Sequence, residues 1–115
     1  MKALFIGLGS IGQRHLRNLI SLAPDVKLMA VRSSRTAPVL SNTNQVISNI
    51  SLQEHYNITE FESLDTALLL KPEMVFVTNP TSMHVEVARK ALKSDAFVFI
   101  EKPISHNNEG IKELI

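Results

Sequence analysis

Gly7-Leu8-Gly9-Ser10-Ile11-Gly12 is the stretch of this chain best suited to hold a ligand. An apolar run, Ala3-Leu4-Phe5-Ile6, leads into it. Ile11, His15, Leu16, Leu19, Ile20 and Ala23 follow at helical spacing. Glycines spaced this way are a weak signal alone, but between a strand and a helix they form a dinucleotide-binding fingerprint. Gly7 permits the tight turn, Gly9 lets backbone approach a pyrophosphate, and Gly12 lets the helix pack closely on the strand. The helix start then offers unpaired N–H groups and the positive end of its dipole to the phosphates. Gly7, Gly9, Ser10, Ile11 and Gly12 are therefore candidate cofactor-binding residues. The plain alternative is a glycine-rich turn with no ligand.

Three further clusters could carry chemistry. In dinucleotide folds an acidic residue about 20 positions past the glycines binds the adenosine ribose. Counting from Gly12 reaches Val31-Arg32-Ser33-Ser34-Arg35, which has no carboxylate. Arginine forks suit a phosphate dianion, so Arg32, Ser33 and Arg35 favour NADP over NAD, with NAD possible. Surface arginines after a strand are the alternative. The second cluster, Thr78-Asn79-Pro80-Thr81-Ser82-Met83-His84, follows an apolar run at a position where open α/β sheets bind ligands. His84 falls in the first turn of the next helix, where an exposed or capping histidine is commoner than a catalyst. The third, Glu101-Lys102-Pro103, also follows an apolar run. Its lysine could hydrogen-bond a ribose hydroxyl or a substrate oxygen. A strand simply ending at solvent reads equally well.

Strands and helices alternate along the chain to position these residues. Strands are expected at Lys2–Ile6, Lys27–Val31, Ile58–Phe61, Met74–Thr78 and Ala96–Ile100. Helices are expected at Ile11–Leu22, from a Ser63 cap to Leu70, at Ser82–Lys93, and from about Ser105–Asn108 onward. Ser33–Asn44 reads as loop and Gln45–Tyr56 as a weak helix. The first, fourth and fifth strands are nearly continuous apolar runs, which predicts burial on both faces. The fold class is α/β, a Rossmann-type doubly wound parallel sheet in three layers. The amphipathic pattern at Glu113-Leu114-Ile115 has no stop signal and suggests truncation before a second α+β domain.

The composition excludes several classes. The chain has 115 residues and a net charge of +1, which gives no electrostatic case for nucleic acid or a membrane surface. It has no cysteine, so it has no disulfide, thiolate metal site or cysteine nucleophile. No residue set reads as a metal site. No apolar run reaches the roughly 20 residues a membrane helix needs, and no signal core precedes the first strand. A cytoplasmic location is the expectation.

Taken together, Gly7-Leu8-Gly9-Ser10-Ile11-Gly12, Asn79-Pro80 with His84, and Glu101-Lys102-Pro103 resemble the N-terminal domain of the Gfo/Idh/MocA oxidoreductases. The resemblance spans nearly the whole chain, and Glu-Lys-Pro is its most specific part. It implies an NAD(P)-dependent oxidoreductase, with residues 1–115 as the dinucleotide-binding domain. It also implies a small-molecule substrate, a sugar, cyclitol or related carbonyl compound. Lys102 corresponds to the lysine contacting the nicotinamide ribose and substrate, Glu101 to a cofactor-side residue, and Asn79 and Pro80 to the lining of the cofactor cleft. His84 joins the cofactor-binding set. Arg32 departs from the aspartate common at that position, and Ser33–Asn57 is longer than usual. The C-terminal substrate domain, absent here, would supply a catalytic acid/base, most of the pocket and any homo-oligomer interface, so the fragment alone is expected to be inactive. Two other readings compete. A non-catalytic nucleotide-sensing domain would not need Lys102. An S-adenosylmethionine methyltransferase would want an acid near Arg32.

Overall fold

A computed structural model describes residues 1–32, 39–40, 45–47, 51–78 and 84–101. In chain order the elements are β1 (Lys2–Ile6), α1 (Ser10–Leu22), β2 (Lys27–Val31), β3 (Val39–Leu40), β4 (Val46–Ile47), α2 (Leu52–Tyr56), β5 (Ile58–Phe61), α3 (Leu64–Leu68), β6 (Met74–Val77), α4 (His84–Leu92) and β7 (Phe97–Ile100). Five strands form one sheet in the order β5-β2-β1-β6-β7, all parallel. The chain starts in the middle, steps outward through β2 to the β5 edge, then returns to β6 and continues to β7. That reversal between β1 and β6 is the point at which open α/β sheets bind ligands.

Hydrophobic residues of alternating strand parity build two cores, one on each face. Ala3, Phe5, Leu28, Ala30, Ile58 and Phe76 pack with Leu16 and Leu19 of α1. Leu4, Ile6, Met29, Val75 and Val77 pack with Ala67 of α3 and with Ala88 and Ala91 of α4. The central strand is the most enclosed: Ala3, Leu4 and Phe5 are fully buried. Helices therefore cover both faces, as the uninterrupted apolar character of β1 and β6 requires.

The parallel registers leave the carboxyl ends of the strands level. Ile6 pairs with Val31 and Val77, Val31 with Phe61, and Val77 with Ile100. Gly7, Arg32, Thr78 and Glu101 are the residues that follow β1, β2, β6 and β7. At the opposite end, Glu73 accepts the Lys2 backbone N–H, and that bond holds its carboxyl below the ordinary glutamate value. Ser63 caps α3, its hydroxyl accepting the Thr66 N–H at 3.1 Å.

Three expectations need correction. The segment read as loop and then weak helix instead contains a two-stranded antiparallel pair, β3 with β4, and a helix confined to Leu52–Tyr56. Val39 anchors that pair by burying in the α1-side core. Strand β7 is not buried on both faces: Phe97 is 82% exposed and Phe99 44%. Among the described residues it pairs only with β6, and α4 covers only the face carrying Val98 and Ile100. Helix α1 begins one residue early, at Ser10, because Gly9 takes the cap position. The helix expected beyond Ser105–Asn108 lies outside the described residues.

Candidate dinucleotide site

The glycine loop is shaped from both sides. Gly7 has φ 93°, a region that L side chains rarely adopt, and its N–H donates to the Val31 carbonyl at 3.0 Å. The backbone thus leaves β1 still tied to β2 and then turns up into α1. Gly12 sits against that turn: a Cβ there would lie 2.5 Å from Gly7 O and 3.0 Å from Thr78 Oγ1. Thr78 bridges the turn to β6, its hydroxyl donating to Gly7 O at 2.7 Å and its N–H to Ile6 O at 3.0 Å. Gln13, fully buried, donates from Nε2 to Leu8 O at 3.0 Å. Thr78 and Gln13 therefore hold the loop carbonyls. In the sequence Thr78 heads the second cluster without a role of its own, and Gln13 reads as one polar position on a helix.

Gly9 differs from its neighbours. It caps α1 with φ −74° and ψ −163°, and among the described residues a Cβ built there meets nothing within 4 Å. No side chain caps the helix and no acidic residue lies in its first turn. The first helical bond is Gln13 N–H to Gly9 O at 3.0 Å. The N–H groups of Ser10, Ile11 and Gly12 precede it, at the positive end of the dipole beside open space. That donor set suits a pyrophosphate, so the loop fits the cofactor its sequence implies.

Arg32 follows β2 as expected, but its guanidinium does not stand clear of the protein. It pairs with the Glu60 carboxylate of β5, and both side chains are only 6% exposed. Sequence alone did not reveal Glu60; only the β2–β5 pairing brings it to Arg32. His84 is buried, at 2% exposure, rather than an exposed first-turn residue. Glu101 follows β7, its N–H donating to Val77 O at 3.1 Å, and its carboxylate lies 2.7 Å from His15 Nε2. The His15 ring packs edge-on against Phe99, centroids 4.8 Å apart. The structure thus joins the helix after the glycine loop to the residue before Lys102. Ser33, Arg35, Asn79, Pro80 and Lys102 lie outside the described residues. Among the described residues no group of three or more His, Asp or Glu side chains could hold a metal.

A sheet of this order with a glycine loop at its switch point defines a dinucleotide-binding domain of the Rossmann class. The chain belongs to the Gfo/Idh/MocA family, described as "Oxidoreductase family, NAD-binding Rossmann fold", which matches residues 1–115. Scyllo-inositol 2-dehydrogenase (NAD(+)) of Bacillus subtilis is 26% identical over 116 residues, covering 97% of this chain and 30% of the relative. Inositol 2-dehydrogenase of Salmonella typhimurium is 28% identical over 105 residues, covering 91% of this chain and 29% of the relative. A solved UDP-N-acetylglucosamine 3-dehydrogenase from Acidithiobacillus ferrooxidans superposes with a TM-score of 0.74 at 22% identity, covering 99% of this chain and 33% of that one. The chain thus spans about a third of the length of these relatives. No helix among the described residues is long and apolar enough to cross a membrane.

Proposed function

We propose that this chain is the cofactor-binding part of an oxidoreductase that moves a hydride between NAD(P) and a sugar, cyclitol or related small alcohol or carbonyl compound. The observation that carries the reading is the glycine loop. Gly12 is packed where a Cβ cannot fit, whereas Gly9 meets no described residue over an uncapped helix start. The substrate class rests on the inositol and nucleotide-sugar dehydrogenases among the relatives. In this reading a second domain completes the substrate pocket, because one sheet layer cannot enclose a substrate and exclude water.

The hydride chemistry belongs to the nicotinamide of the bound cofactor. The chain's own part is to bind and orient. Amides of Ser10, Ile11 and Gly12 hold the pyrophosphate. The Val31–Arg35 run carries no carboxylate of its own, so Ser33 and Arg35, together with the Arg32 guanidinium that Glu60 holds, are the groups proposed to favour the 2′-phosphate of NADP at the adenosine ribose. Asn79 and Pro80 are the residues proposed to line the cleft beyond β6, while His84 is buried at the start of α4. Lys102 lies at the reacting end, where it donates to the nicotinamide ribose and to the substrate oxygen.

The test is mutation of Lys102 in the protein extended by its second domain. Lys102→Ala should lower kcat by about two to four powers of ten, the range for one acid/base group, with cofactor affinity changed far less. An unchanged kcat would leave Lys102 as a strand-end surface charge and remove the catalytic assignment.

A further inference from the structure

We propose that Glu60, on the strand beside Arg32, is a specificity-determining residue that sets the choice between NADP and NAD. It does so by neutralising and holding the Arg32 guanidinium. The inference rests on the reading that the adenosine end of the cofactor lies beyond β2. The two residues come from different strands. Glu60 pairs in register with Ala30, whose side chain lies in the α1-side core. Arg32 is two residues beyond Ala30, so the ion pair lies at the carboxyl edge of that face. The bond from Gly7 N–H to Val31 O puts the glycine loop one residue away. The pair therefore lies beside the loop proposed to hold the pyrophosphate.

Burial decides the consequence. A solvent-exposed ion pair is loose and screened, and its arginine could swing to a phosphate at little cost. Here both side chains are more than nine-tenths buried. Among the described residues, Arg32 Nε and Nη1 have no hydrogen-bond partner, so the Glu60 carboxylate is the anion facing this cation. In such surroundings charges are weakly screened, and a carboxylate in contact cancels most of the attraction a second anion would feel. A 2′-phosphate at this edge meets a nearly neutral pair rather than a free arginine. Discrimination then depends on the balance between the two residues rather than on Arg32 alone.

Titrating the 115-residue chain with NADPH and NADH tests this in four proteins: wild type, Glu60→Gln, Arg32→Gln, and the double variant Arg32→Gln/Glu60→Gln. Glu60→Gln should shift the affinity ratio toward NADPH by about tenfold or more, the worth of one uncovered charge-assisted contact. Arg32→Gln should shift it toward NADH by a similar factor, because the carboxylate then loses the cation that balances it. The double variant, neutral like the intact pair, should stay within about threefold of wild type. A single variant that leaves a lone buried charge can fail to fold. In that case the double variant, which leaves no lone charge, still tests Arg32 against wild type: a shift of about tenfold or more toward NADH would overturn the proposal. A double variant as NADH-preferring as Arg32→Gln would show that Arg32 binds the phosphate itself, and would overturn the proposal. So would a folded Glu60→Gln with the wild-type ratio. A wild-type chain that binds neither nucleotide would instead overturn the cofactor reading on which the proposal stands.

Discussion

Gly12 and Gly9 lie three residues apart in one loop, and their surroundings among the described residues are opposite. A Cβ at position 12 would sit 2.5 Å from Gly7 O, close to 1 Å short of an ordinary contact, and 3.0 Å from Thr78 Oγ1. Both neighbours are fixed: Gly7 O belongs to the backbone turn, and the Thr78 hydroxyl is bonded to it. Helix α1 must therefore move outward. Overpacking of this kind costs about 1–3 kcal/mol. The better helix propensity of alanine returns about 0.5–1 kcal/mol. Gly12→Ala should therefore lose about 1 kcal/mol, at most about 2.5, and lower Tm by about 5 °C for a chain of this size. Gly9→Thr should behave differently. Among the described residues its Cβ meets nothing within 4 Å, its φ is ordinary, and threonine caps helices about as well as glycine. Tm should stay within about 2 °C of wild type. Its hydroxyl and methyl would occupy the space over the helix start, and NADPH affinity should fall by about tenfold or more. Thermal melts and a fluorescence titration on the same samples give both results. A Gly12→Ala protein as stable as wild type would refute the packing argument. A Gly9→Thr protein with wild-type affinity would refute the phosphate assignment.

Two further predictions concern bonds away from the loop. His15→Phe keeps ring packing against Phe99 but loses the bond to Glu101, whose side chain is only about one-fifth exposed. A double-mutant cycle with Glu101→Gln in urea should give a coupling of about 1 kcal/mol, and a coupling near zero would remove the link between α1 and the strand end before Lys102. Glu73 has its carboxyl pKa lowered by the Lys2 N–H bond, so its contribution is present above the unfolded-state value and lost as pH falls through the folded one. Carboxyl NMR should show Glu73 titrating below an ordinary glutamate, and an ordinary midpoint would contradict the bond.

The sheet was legible because its signals are local. The apolar run Ala3–Ile6 lies between two strands and under helices on both faces, and its composition says so. The glycine loop was legible because the turn at Gly7 and the close approach at Gly12 each need a residue without a side chain. What failed depends on neighbours distant in sequence. Glu60 looks like one polar position in a short strand until β2 and β5 align and bring it to Arg32. Strands β3 and β4 are two residues each, too short for any periodicity within a Ser- and Asn-rich stretch. Phe97 and Phe99 give β7 the apolar run of a buried strand, yet β7 pairs only with β6 among the described residues, Phe97 is largely exposed, and Phe99 is covered in part by His15 and Phe76.

The dinucleotide is proposed to lie across the carboxyl ends of the strands, between β1 and β6, with its pyrophosphate on the α1 start. The most direct measurement is an amide NMR titration of the 115-residue chain with NADPH. The largest saturable shifts are expected at Gly9, Ser10, Ile11 and Gly12, with smaller ones at Arg32 and Thr78. Shifts confined to the opposite end of the sheet, around the depression lined by Val26, Tyr56, Asn57 and Thr59, or no saturable shift in the loop, would contradict it.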